Sequence, residues 1–315
     1  VTGSLFRSTR NPVQTVLDVH VNALPEGITP PDSFYQSASL VSVVKQNQAA
    51  HNEGFQVTGG CVCAPAGVDL LAASLALKEQ CRDVDPAYAN WRAMLRFDHC
   101  VGPWPGAGPV SRIAHIRRSL NRGLKSPVPG TVSRAILNDP TILNEFAAVK
   151  LMPQMTGLPD DKALGLLGDL NIPILVHAGS FCPVRWIKSH LLPRTSSPVV
   201  LAHLGSWPCS ADDLAQAVEL AEADKRVFIE TSGASIGNFI RHAATRIPEK
   251  LMFGSNTPMC AASVQWQHVS SSIQDDFVLK RVAQQNAHDL FGLSTSLTFD
   301  ESTTNVMSNA TGLES

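Results

Sequence analysis

Bulky, β-branched runs alternate with helical patterns along almost the whole of this 315-residue chain, and that rhythm restricts the folds open to it. A parallel neighbour strand needs a crossover, and the crossover is normally a helix, so strict alternation implies a parallel sheet. The strand-like runs are residues 15–22 (TVLDVHVN), 57–64, 91–99 (WRAMLRFDH), 148–152 (AVKLM), 172–177, 199–203, 226–231 (RVFIET) and 251–255. Helical patterns lie at about 32–52, with Asp32 as a cap, and near 68–82, 110–123, 131–147, 160–170, 183–192, 210–223, 235–245, 262–273 and 275–290. Eight strand-helix units favour closure into a barrel over an open doubly wound sheet. No Gly-x-Gly-x-x-Gly follows any of the runs, which argues against a dinucleotide fold. The predicted class is therefore α/β: a single-domain (β/α)8 TIM barrel over residues 15–293, with an N-terminal extension (1–14) and a C-terminal tail (294–315). That tail is rich in Ser, Thr and Asn and is expected to pack loosely.

Composition narrows the partners. At 44% hydrophobic and 17% charged, the chain can bury one large core. Its formal net charge is −2 and no basic stripe is present, so nucleic acid is not an expected partner and a small-molecule substrate is. The opening VTGSLFRSTRNP lacks the apolar core of a signal peptide, and no later stretch has the length to span a membrane. The expectation is a cytoplasmic protein with no membrane partner, with homo-oligomerisation left open. Seven cysteines, an odd number, point to reduced thiols rather than a disulfide framework. Cys61 and Cys63 would share one face of a strand, but they lack the spacer and second pair of a zinc ribbon, so buried thiols are expected there.

Three of the ten histidines share one kind of position. His20, His177 and His203 each stand at the C-terminal end of a strand-like run, the end at which barrel enzymes keep their chemistry. Residues 250–258 (KLMFGSNTP) bring Asn256 to a corresponding place. Alternation puts Asp18, His20 and Asn22 on one face, expected to be the lumen. Three imidazoles from three strands would make a zinc shell with one open position, where bound water is acidified or a carbonyl polarised. The plainer alternative is that each histidine bonds a neighbouring carbonyl. His51, His115, His190, His242, His268 and His288 fall in helical or loop stretches and read as surface or structural.

The order of these pieces resembles a known family. Leu17-Asp18-Val19-His20-Val21-Asn22, Val149-Lys150-Leu151, Leu175-Val176-His177-Ala178-Gly179, Leu201-Ala202-His203-Leu204-Gly205, Phe253-Gly254-Ser255-Asn256-Thr257-Pro258 and Asn286-Ala287 followed by Leu290-Phe291-Gly292-Leu293 look like the amidohydrolase superfamily. The similar branch is the amidohydrolase-related one, with aminocarboxymuconate-semialdehyde decarboxylase-like enzymes and dicarboxylate lactonases. The resemblance implies a barrel enzyme acting at a carbonyl or carboxylate carbon, by hydrolysis of a lactone or amide or by decarboxylation. It also implies a divalent metal, zinc by expectation, held by His20, Asn22, His177 and Asn256, with His177, His203 and Asn256 as catalytic residues.

Two positions depart from the family pattern. The first strand carries His20-x-Asn22 where the family has His-x-His, and Asn256 replaces the aspartate that binds metal and shuttles a proton. An amide oxygen is a poorer ligand than imidazole or carboxylate, and it cannot act as a general base. The chain would then be an engineered inactive variant, a metal-free lyase, cyclase or isomerase using histidine acid-base chemistry, or a non-catalytic binding protein of the same fold. Arg96, His99, Lys150, Arg185 and Trp207 are the expected substrate-binding residues, with Asp98 clustered beside Arg96 and His99, and Trp104 and Trp186 completing an aromatic wall. Cys182 reads as a nucleophile or a bystander, and Glu230 as a metal ligand, a base or a salt-bridge partner.

Overall fold

The computed structural model describes residues 14–26, 39–49, 55–65, 70–83, 90–97, 140–156, 158–159, 161–168 and 170–294. The eight strands are β1 (Gln14–Asn22), β2 (Phe55–Cys63), β3 (Trp91–Phe97), β4 (Ala148–Leu151), β5 (Ile174–Val176), β6 (Val199–Leu201), β7 (Val227–Glu230) and β8 (Leu251–Met252). They pair in chain order, all parallel, as the alternation predicts. The ring closes where the chain past β8 returns to β1: Val19 N–H donates to Phe253 O (3.1 Å), Asn22 N–H to Thr257 O (2.7 Å) and Asn256 N–H to His20 O (2.8 Å). A single-domain (β/α)8 barrel results.

Register decides what faces inward. Arg96, Lys150, Leu175, Val200 and Phe228 lie side by side on successive strands, and parallel partners at one level point the same way. Their neighbours Val149, Leu151, Ile174, Val176, Val199, Leu201, Val227 and Ile229 pack with helix residues such as Leu164, Ile187, Leu214 and Ile240, so they face outward. The layer of Arg96 and Lys150 therefore lies inside the ring. Met94, Ala148 and Met252 are buried in the same inner cluster as Leu175 and Val200.

The helix Ala211–Ala223 shows how local sequence sets the outer layer. Ser210 caps it by accepting the Asp213 N–H (3.4 Å), and Asp212 and Asp213 in its first turn suit the positive end of the helix dipole. Its buried residues Leu214, Ala217, Val218 and Ala221 form one stripe at helical spacing, and burying a leucine of this kind is worth about 1.5–3 kcal/mol. At its end Asp224 turns the chain and binds the Arg226 guanidinium, which leads into β7.

Some boundaries differ from the sequence expectation. The helix expected at 183–192 is a short α-turn, Val184–Trp186, followed by a π-helical turn, Ile187–Leu191, and a 3-10 turn, Leu192–Arg194. The one expected at 275–290 changes hydrogen-bond register likewise, from Asp276–Lys280 through π-helical Arg281–Gln285 to Asn286–Phe291. Hydrophobic spacing shows where such a helix packs but not which carbonyl each N–H reaches. Of the pattern at 131–147, the described part is helical only at Pro140–Leu143. The pattern at 110–123 and the tail from 295 lie outside the described residues. No described helix is long and apolar enough to cross a membrane.

Candidate active site

Five strands deliver five buried polar side chains to one place: His20 from β1, Lys150 from β4, His177 just past β5, His203 just past β6 and Glu230 at the end of β7. Glu230 is the hub. Its Oε1 accepts His20 Nδ1–H (3.0 Å), the His203 backbone N–H (2.9 Å) and the Ser232 hydroxyl (2.6 Å), and its Oε2 accepts the Ser232 N–H (2.6 Å). The His203 and His177 rings are 4.3 Å apart at their centroids, and the His20 ring is 5.1 Å from that of His203. The imidazoles do converge on one rim of the barrel.

The backbone is strained where it presents these groups. His203 (φ 61°), Leu204 (φ 55°) and Asn256 (φ 66°) are left-handed without being glycine, a conformation costing on the order of 1–3 kcal/mol each. The Glu230 bond to His203 N–H helps hold the first of them. Gly205 (φ 74°) follows, where a Cβ would stand 2.4 Å from the Ala217 Cβ.

Hydrogen-bond direction fixes the imidazole protons. A carboxylate faces His20 Nδ1, so that nitrogen carries the proton, and the bare Nε2 faces Lys150 Nζ, which donates to it. The Ser232 carbonyl lies 2.9 Å from His203 Nδ1 and can only accept, so His203 too is protonated there and bare at Nε2. His177 Nδ1 lies 2.9 Å from that bare nitrogen and must donate to it. One atom is left over: His177 Nε2, buried, with a lone pair and no hydrogen-bond partner.

Burial keeps the imidazoles neutral. It pushes the pKa of His20 and of His177 well below the ordinary histidine range, and holds His203 down to about 3, with the neighbouring Lys150 acting in the same direction on all three. Burial also lowers Lys150, an effect that Cys63 opposes and Arg96 reinforces. Asp18 is raised to about 7, chiefly by burial, although its Oδ1 accepts the Ser255 N–H (2.9 Å) and the His20 N–H (3.1 Å).

The expected site residues divide into groups. His20, Lys150, His177 and His203 come together, and Trp207 stands over the histidines, its ring 5.2 Å from His203 and 6.3 Å from His177. Arg96 is buried one strand from Lys150, with Nη1 donating to Ala64 O (2.7 Å). Asn22 and Asn256 bond each other, Nδ2 to Oδ1 at 2.9 Å, while the Cys63 thiol donates to Asn22 Oδ1 (3.3 Å). Arg185 is exposed on the turn after β5, and Trp186 stacks on His190 (5.4 Å) away from the cluster. Cys182 is fully buried and burial pushes its thiol far up, so it is no nucleophile. Asp98, His99 and Trp104 lie outside the described residues. Ser232 and Cys63 were not foreseen as site members; the same-face spacing from Glu230 to Ser232 was the available signal for the first.

Whether a divalent ion fits can be judged from the donors. His20, His203 and Glu230 each place a donor atom within 4.8 Å of the others, and two imidazoles with a carboxylate are a chemically suitable set. The Ser232 hydroxyl, however, lies within 2.6–2.9 Å of His20 Nδ1, His203 Nδ1 and Glu230 Oε1 together, and so stands among the three donors. A cation there would have to displace the hydroxyl and strip protons from both Nδ1 atoms, beside a buried lysine. Of the residues expected as ligands from the family pattern, His20 bonds Lys150 and Glu230, His177 bonds His203, and Asn22 bonds Asn256. As arranged, the cluster is a hydrogen-bonded hub, and His20, His203 and Glu230 are the residues in it that would hold a divalent ion once the Ser232 hydroxyl gave way.

The amidohydrolase family model matches residues 139–293, the stretch that carries Lys150, His177, His203, Glu230 and Asn256. That stretch, just under half of the chain, is what resembles the amidohydrolases in sequence. No curated protein sequence matches the chain. Among solved structures, a protein from Agrobacterium tumefaciens is similar at a TM-score of 0.57 and 11% identity, over 90% of this chain and 98% of the other. An amidohydrolase from Bifidobacterium longum subsp. infantis is similar at 0.52 and 16%, over 90% and 100%. A 5-carboxyvanillate decarboxylase from Novosphingobium aromaticivorans, with bound manganese, is similar at 0.50 and 11%, over 90% and 97%. At such identities the likeness establishes the barrel.

The barrel leaves no room for a side chain at Gly254. A Cβ there would stand 2.1 Å from Glu230 Oε2 and 3.1 Å from the His20 Cβ. Gly254→Ala is expected to push the hub apart and to lower the urea midpoint by the equivalent of about 1–3 kcal/mol, as overpacking does. An unchanged midpoint would show that the Glu230 carboxylate is free to move.

Proposed function

We propose that this chain is an enzyme acting on a small carboxylate-bearing molecule, by carbon–carbon cleavage with loss of carbon dioxide rather than by metal-assisted hydrolysis. The observation that carries this reading is the neutral His177 Nε2 lone pair, held in a buried cluster that also contains the cationic side chains Lys150 and Arg96. Hydrolysis by the family's usual route needs a carboxylate base after β8, and Asn256 supplies an amide. Trp207 offers an aromatic wall for an unsaturated or ring-bearing acid. Decarboxylase chemistry is also that of the Novosphingobium neighbour.

A second reading keeps the hydrolase and its zinc, with the ion displacing the Ser232 hydroxyl; the suitability of the His20, His203 and Glu230 donors favours it. The two separate in one assay. Protein dialysed against chelator is offered aromatic and aliphatic carboxylic acids and lactones, and carbon dioxide and ring-opened acid are measured. The first reading expects carbon dioxide release that is the same before and after chelation. Lactone opening that vanishes with chelator and returns with zinc would replace it with the second.

A further inference from the structure

The loop after β8 brings Asn256 to the rim of the barrel in a left-handed conformation (φ 66°), and its backbone is fully bonded there: its N–H donates to His20 O (2.8 Å) and its carbonyl accepts the Met259 N–H (2.8 Å). Its neighbours decide what the side chain offers. Asn22 Nδ2 lies 3.4 Å from Thr257 O, and a backbone carbonyl can only accept, so that atom of the Asn22 amide is the nitrogen. The same nitrogen lies 2.9 Å from the Asn256 amide, which must therefore meet it with Oδ1. At the other end the Cys63 thiol donates to Asn22 Oδ1 (3.3 Å), in agreement with that orientation. Both N–H bonds of the Asn22 amide and its oxygen are thus used inside the protein. The Asn256 NH2 group is turned away from Asn22. Among the described residues none accepts from it, and Asn256 is partly exposed whereas Asn22 is buried.

We infer that Asn256 Nδ2 binds the substrate by donating to an oxygen of its carboxylate group, and that Asn22 and Cys63 are positioning residues that fix which way the amide faces. The inference rests on the carboxylate-acting reading and names the group that receives the acid at the rim. An amide N–H without a partner selects for an oxygen acceptor and against an ammonium or another donor. Among acceptors a carboxylate gains most, because a hydrogen bond to a charged group is about twice as strong as one between neutral groups. The left-handed backbone alone does not account for the residue. Glycine adopts a positive φ without steric cost and would carry no donor. Nor does the bond from Asn22 account for it, since an aspartate oxygen would accept that N–H equally well. What asparagine adds at this position is the outward NH2 group.

The test observes the amide itself. The full chain, carrying asparagine labelled with heavy nitrogen, is dialysed against chelator and titrated with benzoate or acetate, with benzyl alcohol as the neutral control. The Asn256 side-chain resonance is identified by its absence from Asn256→Asp. The expected result is a saturable shift of that resonance with the acids and none with the alcohol. Two variants separate the donor from the backbone conformation. Asn256→Gly suits the left-handed backbone and lacks the donor, and Asn256→Asp keeps an oxygen for Asn22 while exchanging the donor for a charged acceptor. Both should bind benzoate about 10- to 100-fold more weakly than the parent, the range for one hydrogen bond to a charged group. Because the resonance is followed in the unaltered protein, the outcome does not depend on whether either variant folds. A resonance unmoved by both acids overturns the inference, and so does parental benzoate affinity in folded Asn256→Gly. If carbon dioxide release from carboxylic acids persists in that case, the carboxylate-acting reading survives without this contact. A shifted resonance in a protein that releases no carbon dioxide would leave the amide contact standing and remove the reaction instead.

Discussion

Glu230→Ala is expected to unfold the protein or to bring it close to unfolding. The carboxylate receives four donors in a region without solvent: His20 Nδ1–H, His203 N–H, Ser232 N–H and Ser232 O–H. Each buried donor left without an acceptor costs about 1–3 kcal/mol, and whole domains are stable by only about 5–15 kcal/mol. Two of the four are backbone groups that cannot rotate to another partner, and one of these holds His203 in its left-handed conformation. Glu230→Gln should lose less, because one amide oxygen still accepts, but its NH2 must then face a donor. Urea denaturation followed by tryptophan fluorescence measures the difference. A midpoint in Glu230→Ala equal to that of the parent protein would show that the hub is not structural.

The barrel was legible because its cause is periodic. Apolar runs such as residues 172–177 and 199–203 are too short and too β-branched to be helices, and the segments between them carry stripes at helical spacing. The three histidines could be placed for the same reason, since a strand end is a position in the pattern. What the pattern could not carry was direction. Nothing in LVHAG says that the ring of His177 turns to His203, and nothing in VHVN says that Asn22 turns to Asn256. Those pairings arise between strands far apart in the chain and depend on the register shifts in β1 between Val16 and Leu17 and between Asp18 and Val21. Arg185 shows the converse. Two residues beyond Pro183 it looked aimed at the site, but the α-turn that begins at Val184 carries it outward. The Ser232 hydroxyl also escaped notice, because a serine has no chemistry of its own to advertise until its three neighbours are in place.

His177→Ala should leave the protein folded and reduce turnover by about two to four orders of magnitude, the range for loss of a positioned acid or base. The folded state loses only one bond with this ring, the donation from His177 Nδ1 to His203 Nε2, because Nε2 has no partner to lose. His203→Ala removes more, since His203 links the Ser232 carbonyl to His177 and fixes which His177 nitrogen is bare. With that link gone, His177 can adopt either tautomer, and activity should fall even though the reacting nitrogen is still present. The two variants therefore differ in a way that a purely structural role would not produce. Adding imidazole to His177→Ala should restore part of the turnover, whereas in His203→Ala it should restore less, because the missing ring there acts through another. Circular dichroism and the urea midpoint establish folding in both. Full turnover in folded His177→Ala would mean that the unpartnered nitrogen does no chemistry, and the proton acceptor would have to be sought elsewhere among the groups around Lys150.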